Sequence, residues 1–528
     1  MRAFADLLER LVHTPGRTAK LALLRAHFTA QPDPDRGWAL AAFAGALDLP
    51  AVKPAVIRAL AEARTDPVLF RLSHEFVGDL AETVALIWPT PPDPAPPPRL
   101  SEVVAALQSA PRAGRAALLA ELFDRLDPSA RFALIKLTTG APRVGVSARL
   151  ARQALADAFG RPLERIEELW FAVPPPYGPL FAWLEGGPEP DADLALAFRP
   201  MMLAQPLDES RLADLVPAEH AAEVKWDGIR VQAVAGPGGR RLYSRTGEDI
   251  GPAFPDLLAA MDWHGVVDGE LLVAGPDGRP RPFADLQTRL NRKRVTAAMQ
   301  AAAPAHLRAY DLLFDGAEDL RPAPYDRRRA RLAAFIHRHR PARLDLSAEV
   351  PFADWDQLSR LRDAARAEGE EGLMLKRRDS PYLAGRPTGP WWKWKRDPLS
   401  ADVVLMYAQR GHGKRSSFYS DFTFGAWADG PEGPVLAPVG KAYSGFTDAE
   451  LVRLDKWVRA HMTERYGPVR AVAPELVLEV AFDAVQPSTR HKSGVAMRFP
   501  RIKRIRWDKP AAEADRLETL RRMAGLPD

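Results

Sequence analysis

The first part of the chain has apolar residues spaced three and four positions apart. Near the N-terminus these positions are Phe4, Leu7, Leu8, Leu11 and Val12. The stretch "RAALLAELFDRL" repeats the spacing further along. This period matches the α-helical turn and places an apolar stripe on one side of each helix. The pattern predicts an all-α domain over residues 1–195.

A proline-rich segment interrupts this helical region. Residues 89–98 read "PTPPDPAPPP". Because proline has no backbone N–H, such a run can neither continue a helix nor donate to a sheet. The segment predicts an extended surface connector.

The apolar period changes to two from about residue 200. The stretches "AEVKWDGIRVQAV", "GVVDGELLVAG", "LRAYDLLFDG" and "EEGLMLKRR" alternate in this way, with helical or turn-rich stretches between them. Alternation predicts strands, and the Asp-Gly pairs at 227–228 and 268–269 are typical of hairpin turns. The pattern favours an α+β domain over residues 196–396.

The last part of the chain predicts short strands joined by glycine-rich turns. We interpret residues 397–515 as an all-β domain shaped as a small barrel, followed by a short charged helix and a tail to residue 528. Within it, "QRGHGKRSSFYSDFTF" (409–424) mixes basic, glycine and aromatic residues. That mixture fits a loop that binds nucleic acid and an ordinary exposed hairpin equally well.

Composition narrows the class of protein. The chain has 528 residues, enough for roughly three or four domains by the usual domain size. It has no cysteine, which excludes disulfides, thiol catalysis and cysteine-ligated metal sites, and this fits a cytoplasmic location. No apolar run reaches membrane-spanning length, so no membrane partner is expected. The net charge of +5 suits a polyanionic partner, although it also fits simple solubility.

Charged residues recur at strand positions in the α+β region. Lys225 alone is readily explained as an edge-strand residue that prevents aggregation. However, Glu270 and Glu371 also fall on strands, and "WWKWK" (391–395) places two lysines on one face and two tryptophans on the other. Charges of both signs on strands that are otherwise apolar indicate a functional site.

These stretches resemble, in order, the motifs of the covalent nucleotidyltransferases, and among them those of the ATP-dependent DNA ligases. "KWDGIR" is similar to the first motif and "SRTGE" (244–248) to the second, and "VDGEL", "AYDLLFDG", "EEGLMLK" and "WWKWK" follow in family order. "AMRFPRIKRIRWDK" (496–509) resembles the motif of the oligonucleotide-binding (OB) domain. More loosely, "IKLTTGAPRVGVS" (135–147) is similar to a phosphate-contacting turn of the ligases' DNA-binding domain.

The resemblance implies a fold and a set of site residues. The fold is a helical DNA-binding domain, a nucleotidyltransferase (adenylation) domain and an OB-fold domain. Lys225 would be the nucleophile, and Glu270 and Glu371 would bind Mg²⁺. The implied ATP-binding residues are Glu223, Arg230, Arg245, Glu270, Tyr310, Arg386, Lys393, Lys395 and Arg498.

The implied activity is the sealing of nicks in duplex DNA, as in repair, replication and recombination. ATP would adenylate Lys225, AMP would pass to a 5′-phosphate, and a 3′-hydroxyl would displace it. The enzyme would be a monomer in solution that encircles nicked DNA.

A lysine must lose its proton before it can attack phosphorus. Cations such as Lys393 and Lys395 favour that loss, and they also stabilise negative charge on the phosphate.

Two alternatives remain open at this point. An RNA ligase or a capping guanylyltransferase would use the same lysine, and labelling with GTP or sealing of RNA would identify it. A catalytically silent nucleic-acid-binding protein would keep the fold without the chemistry. A mass increase of one AMP on Lys225 after exposure to ATP would exclude the silent protein.

Overall fold

Helices fill the N-terminal part of the chain. The computed structural model describes residues 1–93, 95–140, 142, 144–191, 194–275, 277–290, 292, 295–364, 370–411 and 417–526. As the period predicts, the first helix buries Phe4, Leu7, Leu8 and Leu11, whereas Val12 is exposed. The helices are α1 (Arg2–His13), α2 (Arg17–Ala30), α3 (Asp35–Ala44), α4 (Pro54–Arg64), α5 (Pro67–Val77), α6 (Leu80–Ile87), α7 (Leu100–Ser109), α8 (Arg115–Arg125), α9 (Pro128–Thr139), α10 (Ala148–Phe159), α11 (Leu163–Trp170) and α12 (Gly178–Leu184).

The proline-rich segment at 89–98 has neither helix nor strand at its described positions, so the predicted connector is confirmed there. Two other predictions fall partly outside the described residues. These are the turn at 135–147, which lacks 141 and 143, and the segment at 409–424, which lacks 412–416.

Strands and helices mix in the middle of the chain, as the change of period predicts. The elements are β1 (Gln205–Pro206), β2 (His220–Val224), β3 (Ile229–Gly236), β4 (Gly239–Ser244), α13 (Pro255–Ala259), β5 (Gly265–Val273), α14 (Phe283–Gln287), α15 (Ala297–Ala302), β6 (Ala305–Asp315), β7 (Glu318–Asp319), α16 (Tyr325–His339), β8 (Leu344–Leu346), α17 (Trp355–Ala364), β9 (Gly372–Arg377) and β10 (Trp391–Lys395).

Strands dominate the C-terminal part. The elements are β11 (Leu399–Arg410), β12 (Tyr419–Gly430), β13 (Gly433–Ala442), α18 (Asp448–Ala460), β14 (Met462–Tyr466), β15 (Val469–Val472), β16 (Val477–Phe482), β17 (Ala484–Pro487), β18 (Val495–Arg498), β19 (Arg501–Arg506) and α19 (Leu517–Met523). No helix within the described ranges is long and apolar enough to cross a membrane.

The chain divides into two compact units. The first unit contains Met1–Pro50, Pro97–Ser109 and Gly140–Arg396, and the second contains Ala51–Pro96, Ala110–Thr139 and Asp397–Asp528. The domain boundaries at residues 195 and 396 stay a prediction.

The first unit contains a sheet with the strand order β1-β10-β9-β2 and another with the order β4-β3-β5-β6-β7, in which β8 also pairs with β6. A shared apolar cluster lies between them. Met202, Tyr382 and Trp391 come from the side of the first sheet, and Val234 and Leu313 from the second. The cluster therefore fixes how these sheets face each other.

The Asp-Gly pair at 227–228 does not form the predicted hairpin. Strand β2 pairs with β9, whereas β3 pairs with β4 and β5, so residues 225–228 carry the chain from one sheet to the other. A Cβ atom on Gly228 would lie 2.5 Å from the carbonyl oxygen of Leu271. The glycine is therefore required by close packing against β5.

The second Asp-Gly pair also differs from the prediction. Asp268 and Gly269 lie inside β5, which runs unbroken through them. A Cβ atom on Gly269 would approach the carbonyl oxygen of Arg308 on β6 to 2.7 Å. Here glycine permits close strand approach and forms no turn.

The second unit has a curled sheet built around the long strand β11. The strand order is β13-β12-β11-β15-β14, and β16 joins β11 to β19. Strands β11 and β12 are antiparallel, with Arg410 opposite Tyr419, so the described residues 409–410 and 419–424 lie on paired strands. The prediction of an all-β region was wrong in one respect, because α18 lies between β13 and β14. Its first turn is closed by a capping box between Thr447 and Glu450.

Candidate active site

A cleft of about 550 Å³ opens in the first unit. Both sheets of that unit contribute side chains to it. The charged residues that line it are Glu223, Lys225, Arg230, Arg245, Glu270, Glu371, Lys376, Arg386, Lys393 and Lys395. A polar site of this size accommodates a nucleotide.

Lys225 lies where the chain leaves β2. Its backbone N–H donates to the carbonyl of Gly372 over 2.8 Å, and the N–H of Glu371 donates to the carbonyl of Lys225 over 2.9 Å. Its Nζ donates a short hydrogen bond to the Glu371 carboxylate, which also lies 3.5 Å from Lys395 Nζ. The lysine is thus held at both its backbone and its ammonium group.

Cations gather on one part of the cleft wall. Burial lowers the pKa of Lys393, and the positive charges of Arg386, Lys395, Lys225 and Arg245 lower it further. Such mutual repulsion is relieved when a polyanion binds. The cluster is therefore suited to phosphate.

Glu270 on β5 differs from an ordinary surface carboxylate. Burial raises its pKa to about 8, against the opposing effect of Lys225 and Arg230. The group is mainly protonated at neutral pH in the absence of a ligand. An added cation would favour its ionised form.

Arg230 is fixed by a buried network. Its guanidinium binds both carboxylate oxygens of Asp268, over 3.1 and 2.7 Å, and Tyr382 donates to the same carboxylate over 2.6 Å. Asp268 holds the pKa of Arg230 well above its usual value despite burial. Arg230 also lies 5.7 Å from the ring centroid of Tyr310. This arginine is a permanently charged, rigid part of the wall.

Another part of the wall is aromatic and acidic. Glu223 is buried and paired with Lys376 over 3.0 Å. The Lys376 ammonium lies 4.6 Å from the ring centroid of Tyr310 and 4.7 Å from that of Trp391. Burial raises the pKa of Tyr310 well above its ordinary value, so its hydroxyl stays neutral. Rings and hydrogen-bonding groups in this arrangement suit a heterocyclic base.

The structure brings most of the predicted residues together. Lys225, Glu223, Arg230, Arg245, Glu270, Tyr310, Glu371, Arg386, Lys393 and Lys395 all line the cleft. Trp392 and Trp394 point into an apolar core on the opposite face of β10, as alternation predicts. Arg498 ends β18 in the second unit, does not line this cleft and remains a prediction.

Sequence reasoning missed the groups that support these residues. Lys376 belongs to the motif "EEGLMLK", but no role was predicted for it. Tyr325 donates a short hydrogen bond to Glu223, and Asp268 and Tyr382 hold Arg230. Tyr325 and Tyr382 lie far from their partners in sequence, so no local pattern could identify them.

The donor set is compatible with Mg²⁺, although it does not enclose a metal by itself. Within the described ranges no cluster of three or more His, Cys, Asp or Glu side chains is arranged to hold a metal ion. Glu270 and Glu371 nevertheless both line the cleft. Magnesium is commonly held by one or two carboxylates together with substrate phosphates and water.

Comparison with known proteins identifies the family. The model of the ATP dependent DNA ligase domain matches residues 201–395, and that of the ATP dependent DNA ligase C terminal region matches residues 415–509. A probable DNA ligase of Koribacter versatilis is 37% identical, over 77% of this chain and 74% of that protein. The chain belongs to the ATP-dependent DNA ligases.

A second relative supports this family assignment, and a solved structure shares the fold. DNA ligase 1 of Korarchaeum cryptofilum is 34% identical over 77% of this chain and 74% of that protein. The solved structure named Pmar-Lig_Pre has a similar fold, with 15% identity, a TM-score of 0.63 and coverage of 96% of this chain and 99% of that chain. The protein is an enzyme that acts on DNA with ATP, and nick sealing through a covalent adenylate is the mechanism of its family.

Proposed function

We propose that Lys225 is the residue of this ligase that carries AMP. Its Nζ attacks the α-phosphorus of ATP, a P–N bond forms, the P–O bond to the β-phosphate breaks, and pyrophosphate leaves. The observation that carries the assignment is the contact of Lys225 Nζ with the Glu371 carboxylate, inside a cleft lined by further cations. A carboxylate in this position can accept the proton that the lysine must lose.

The cationic cluster stabilises the phosphates in this proposal. The repulsion that lowers the pKa of Lys393 is relieved when negative charge enters the cleft. The cluster would therefore stabilise the negative charge that builds up on the phosphates during transfer. Its members are Lys393, Lys395, Arg245 and Arg386. Arg230, held rigidly by Asp268, would contact ribose or phosphate without reorganising.

Tyr310 and Glu223 bind the base in this proposal. The Tyr310 ring offers a stacking surface, and the Glu223 carboxylate offers hydrogen-bond acceptors. Arg230 and Lys376 both lie near that ring, which supports a fixed orientation for it.

Glu270 and Glu371 would hold Mg²⁺ together with the phosphates. When bound, the ion would neutralise phosphate charge and orient the leaving group. The raised pKa of Glu270 supports this role, because a buried carboxyl group that resists ionisation on its own is stabilised as a carboxylate by a cation.

The remaining steps act on nicked duplex DNA. An oxygen of the 5′-phosphate attacks the lysyl-AMP, which frees Lys225, and the 3′-hydroxyl then attacks the adenylated phosphate and releases AMP. We assign DNA binding to a helical domain at residues 1–195, adenylation to 196–396, and an OB-fold role to 397–515. The enzyme would work as a cytoplasmic monomer that encircles its DNA. Arg498, which ends β18 just before the basic strand β19, would orient the pyrophosphate.

Labelling with ATP tests the central assignment. After incubation with ATP and Mg²⁺, the peptide that contains Lys225 should gain the mass of one AMP. Lys225→Arg should lose this adduct, because a guanidinium stays protonated and cannot attack. Labelling by GTP, or sealing of nicked RNA in preference to DNA, would favour the RNA-directed members of the superfamily. Full labelling of Lys225→Arg would refute the choice of nucleophile.

A truncated chain tests the proposed DNA-binding domain. A chain that begins near residue 196 should form the lysyl-AMP but seal nicks poorly, because it lacks contacts to DNA phosphates. Its nick binding should also depend less steeply on salt than that of the full chain. Equal sealing by the two chains at moderate salt would remove the DNA-binding role from residues 1–195.

A further inference from the structure

Glu223 is held by two donors that act on the same oxygen. Lys376 Nζ donates to its Oε1 over 3.0 Å, and the Tyr325 hydroxyl donates a short hydrogen bond to the same atom. The side chains of Glu223 and Lys376 are each only 2% exposed. The carboxylate is therefore fixed in the cleft wall, with its charge balanced and its Oε1 occupied.

Lys376 also links this carboxylate to the aromatic wall. Its ammonium lies 4.6 Å from the ring centroid of Tyr310, 4.7 Å from that of Trp391 and 5.1 Å from that of Tyr325. Cations over aromatic faces are held electrostatically, and more strongly when they are desolvated. Tyr310 and Trp391 line the cleft, whereas Tyr325 supports Glu223 from α16. One buried cation thus connects the carboxylate with the ring surfaces beside it.

We propose that Tyr325 and Lys376 are positioning residues that set the preference of this ligase for a purine with an exocyclic amine at C6. They hold Glu223 so that its second oxygen, Oε2, faces the base as an acceptor. The inference rests on the proposed binding of the base between Tyr310 and Glu223. Neither residue takes part in phosphoryl transfer.

The reason lies in the cost of an unpaired buried acceptor. The amine of adenine can donate to Oε2, whereas a purine without that amine leaves the oxygen unpaired. Discrimination of this kind is strong when the acceptor cannot move away or be solvated. Loss of the Tyr325 hydroxyl frees Glu223 to rotate, which weakens the bond to adenine and reduces the penalty for the other purine.

Self-adenylation of the full chain tests the proposal, with ATP compared with purine riboside 5′-triphosphate, which has hydrogen in place of the C6 amine. The rate constant at saturation and the KM are measured separately for each nucleotide. Tyr325→Phe should raise the KM for ATP, leave the saturated rate nearly unchanged, and reduce the selectivity for ATP by about tenfold. Lys376→Met leaves a buried carboxylate without a counter-charge, and it should reduce the selectivity for ATP further.

Tyr243→Phe is the matched control. Its hydroxyl donates to the backbone carbonyl of Leu196 over 2.8 Å in the same unit. This variant also loses the hydrogen bond of a tyrosine hydroxyl and should keep the selectivity of the unmodified enzyme. Equal loss of selectivity in Tyr243→Phe and Tyr325→Phe would mean that general loosening is the cause, and would overturn the proposal.

Glu223→Gln separates this inference from the function on which it rests. If Glu223→Gln changes the selectivity while Tyr325→Phe and Lys376→Met do not, the base binds as proposed and the positioning role is wrong. If none of the three substitutions changes it, the base does not bind against Glu223, and both proposals fail. If all three substitutions change the selectivity and Tyr243→Phe does not, the positioning role is supported.

Discussion

Replacing Glu270 by Gln should change how the stability of the enzyme depends on pH. Burial raises the pKa of Glu270 from 4.5 to about 8. The folded protein therefore holds a proton that the unfolded chain releases, and stability falls as the pH rises. Glutamine has the same shape but no proton to lose, so this loss should be absent from the variant.

The size of the effect follows from the two pKa values. Each pH unit between them corresponds to about 1.4 kcal/mol, so the interval from 4.5 to about 8 amounts to about 5 kcal/mol. This contribution is complete below pH 4.5 and is lost as the pH rises through 8. Between pH 5.5 and 9, Glu270→Gln should gain about 3 kcal/mol in free energy of unfolding relative to the unmodified enzyme.

Urea unfolding followed by tryptophan fluorescence measures this difference, with the metal-free enzyme at several pH values. Trp391, Trp392 and Trp394 lie in the same unit and report on it. Glu318→Gln, which removes an exposed carboxylate from β7 at the edge of the same sheet, controls for loss of a surface charge. A difference between Glu270→Gln and the unmodified enzyme that stays constant from pH 5.5 to 9 would refute a buried, protonated Glu270.

Three further predictions concern other groups. Glu371→Gln should slow lysyl-AMP formation by about a hundredfold and alter its Mg²⁺ dependence, and an unchanged Mg²⁺ titration would exclude the metal role. Arg328 and Asp311 form a fully buried ion pair, so Arg328→Met should cost about 3–5 kcal/mol in urea unfolding, most of it recovered when Asp311→Leu is added. No recovery in the double variant would contradict this. Arg498→Ala should lose self-adenylation yet still seal a nick that already carries 5′-AMP; equal loss of both activities, with weaker DNA binding, would make it a DNA contact.

The sequence predicts most strongly those features that depend on local period. The burial of Leu7, Leu8 and Leu11 follows from helical spacing, and the opposite faces of Lys393 and Trp392 follow from strand alternation. The cleft residues were found through motifs, because the chemistry of adenylyl transfer needs lysines and carboxylates at particular places on strands.

The sequence could not predict which strands and side chains contact each other over long distances along the chain. An Asp-Gly pair favours a turn locally, but the pairing of its flanking strands depends on the whole sheet. Strands β2 and β3, which flank the pair at 227–228, do not pair with each other. Gly269 is explained by the approach of Arg308, which lies far along the chain. Helix α18 was predictable, since "TDAELVRLDKWV" combines a capping box with helical spacing. The contact of Tyr325 with Glu223 had no local signal.

The crossing of the chain between the sheets at residues 225–228 places Lys225 and Glu270 on different sheets of the cleft. Backbone hydrogen bonds join Lys225 to Glu371 and Gly372, so Lys225 is attached to the sheet that contains Lys393. Glu270 and Arg230 travel with the other sheet. A change in the angle between the sheets would break no hydrogen bond in either ladder, but it would repack the apolar cluster around Trp391 and disturb the hydrogen bond from Tyr382 to Asp268. The separation of the nucleophile from Glu270 is therefore set by the packing between the sheets and by the contact of Tyr382 with Asp268, and by neither ladder alone.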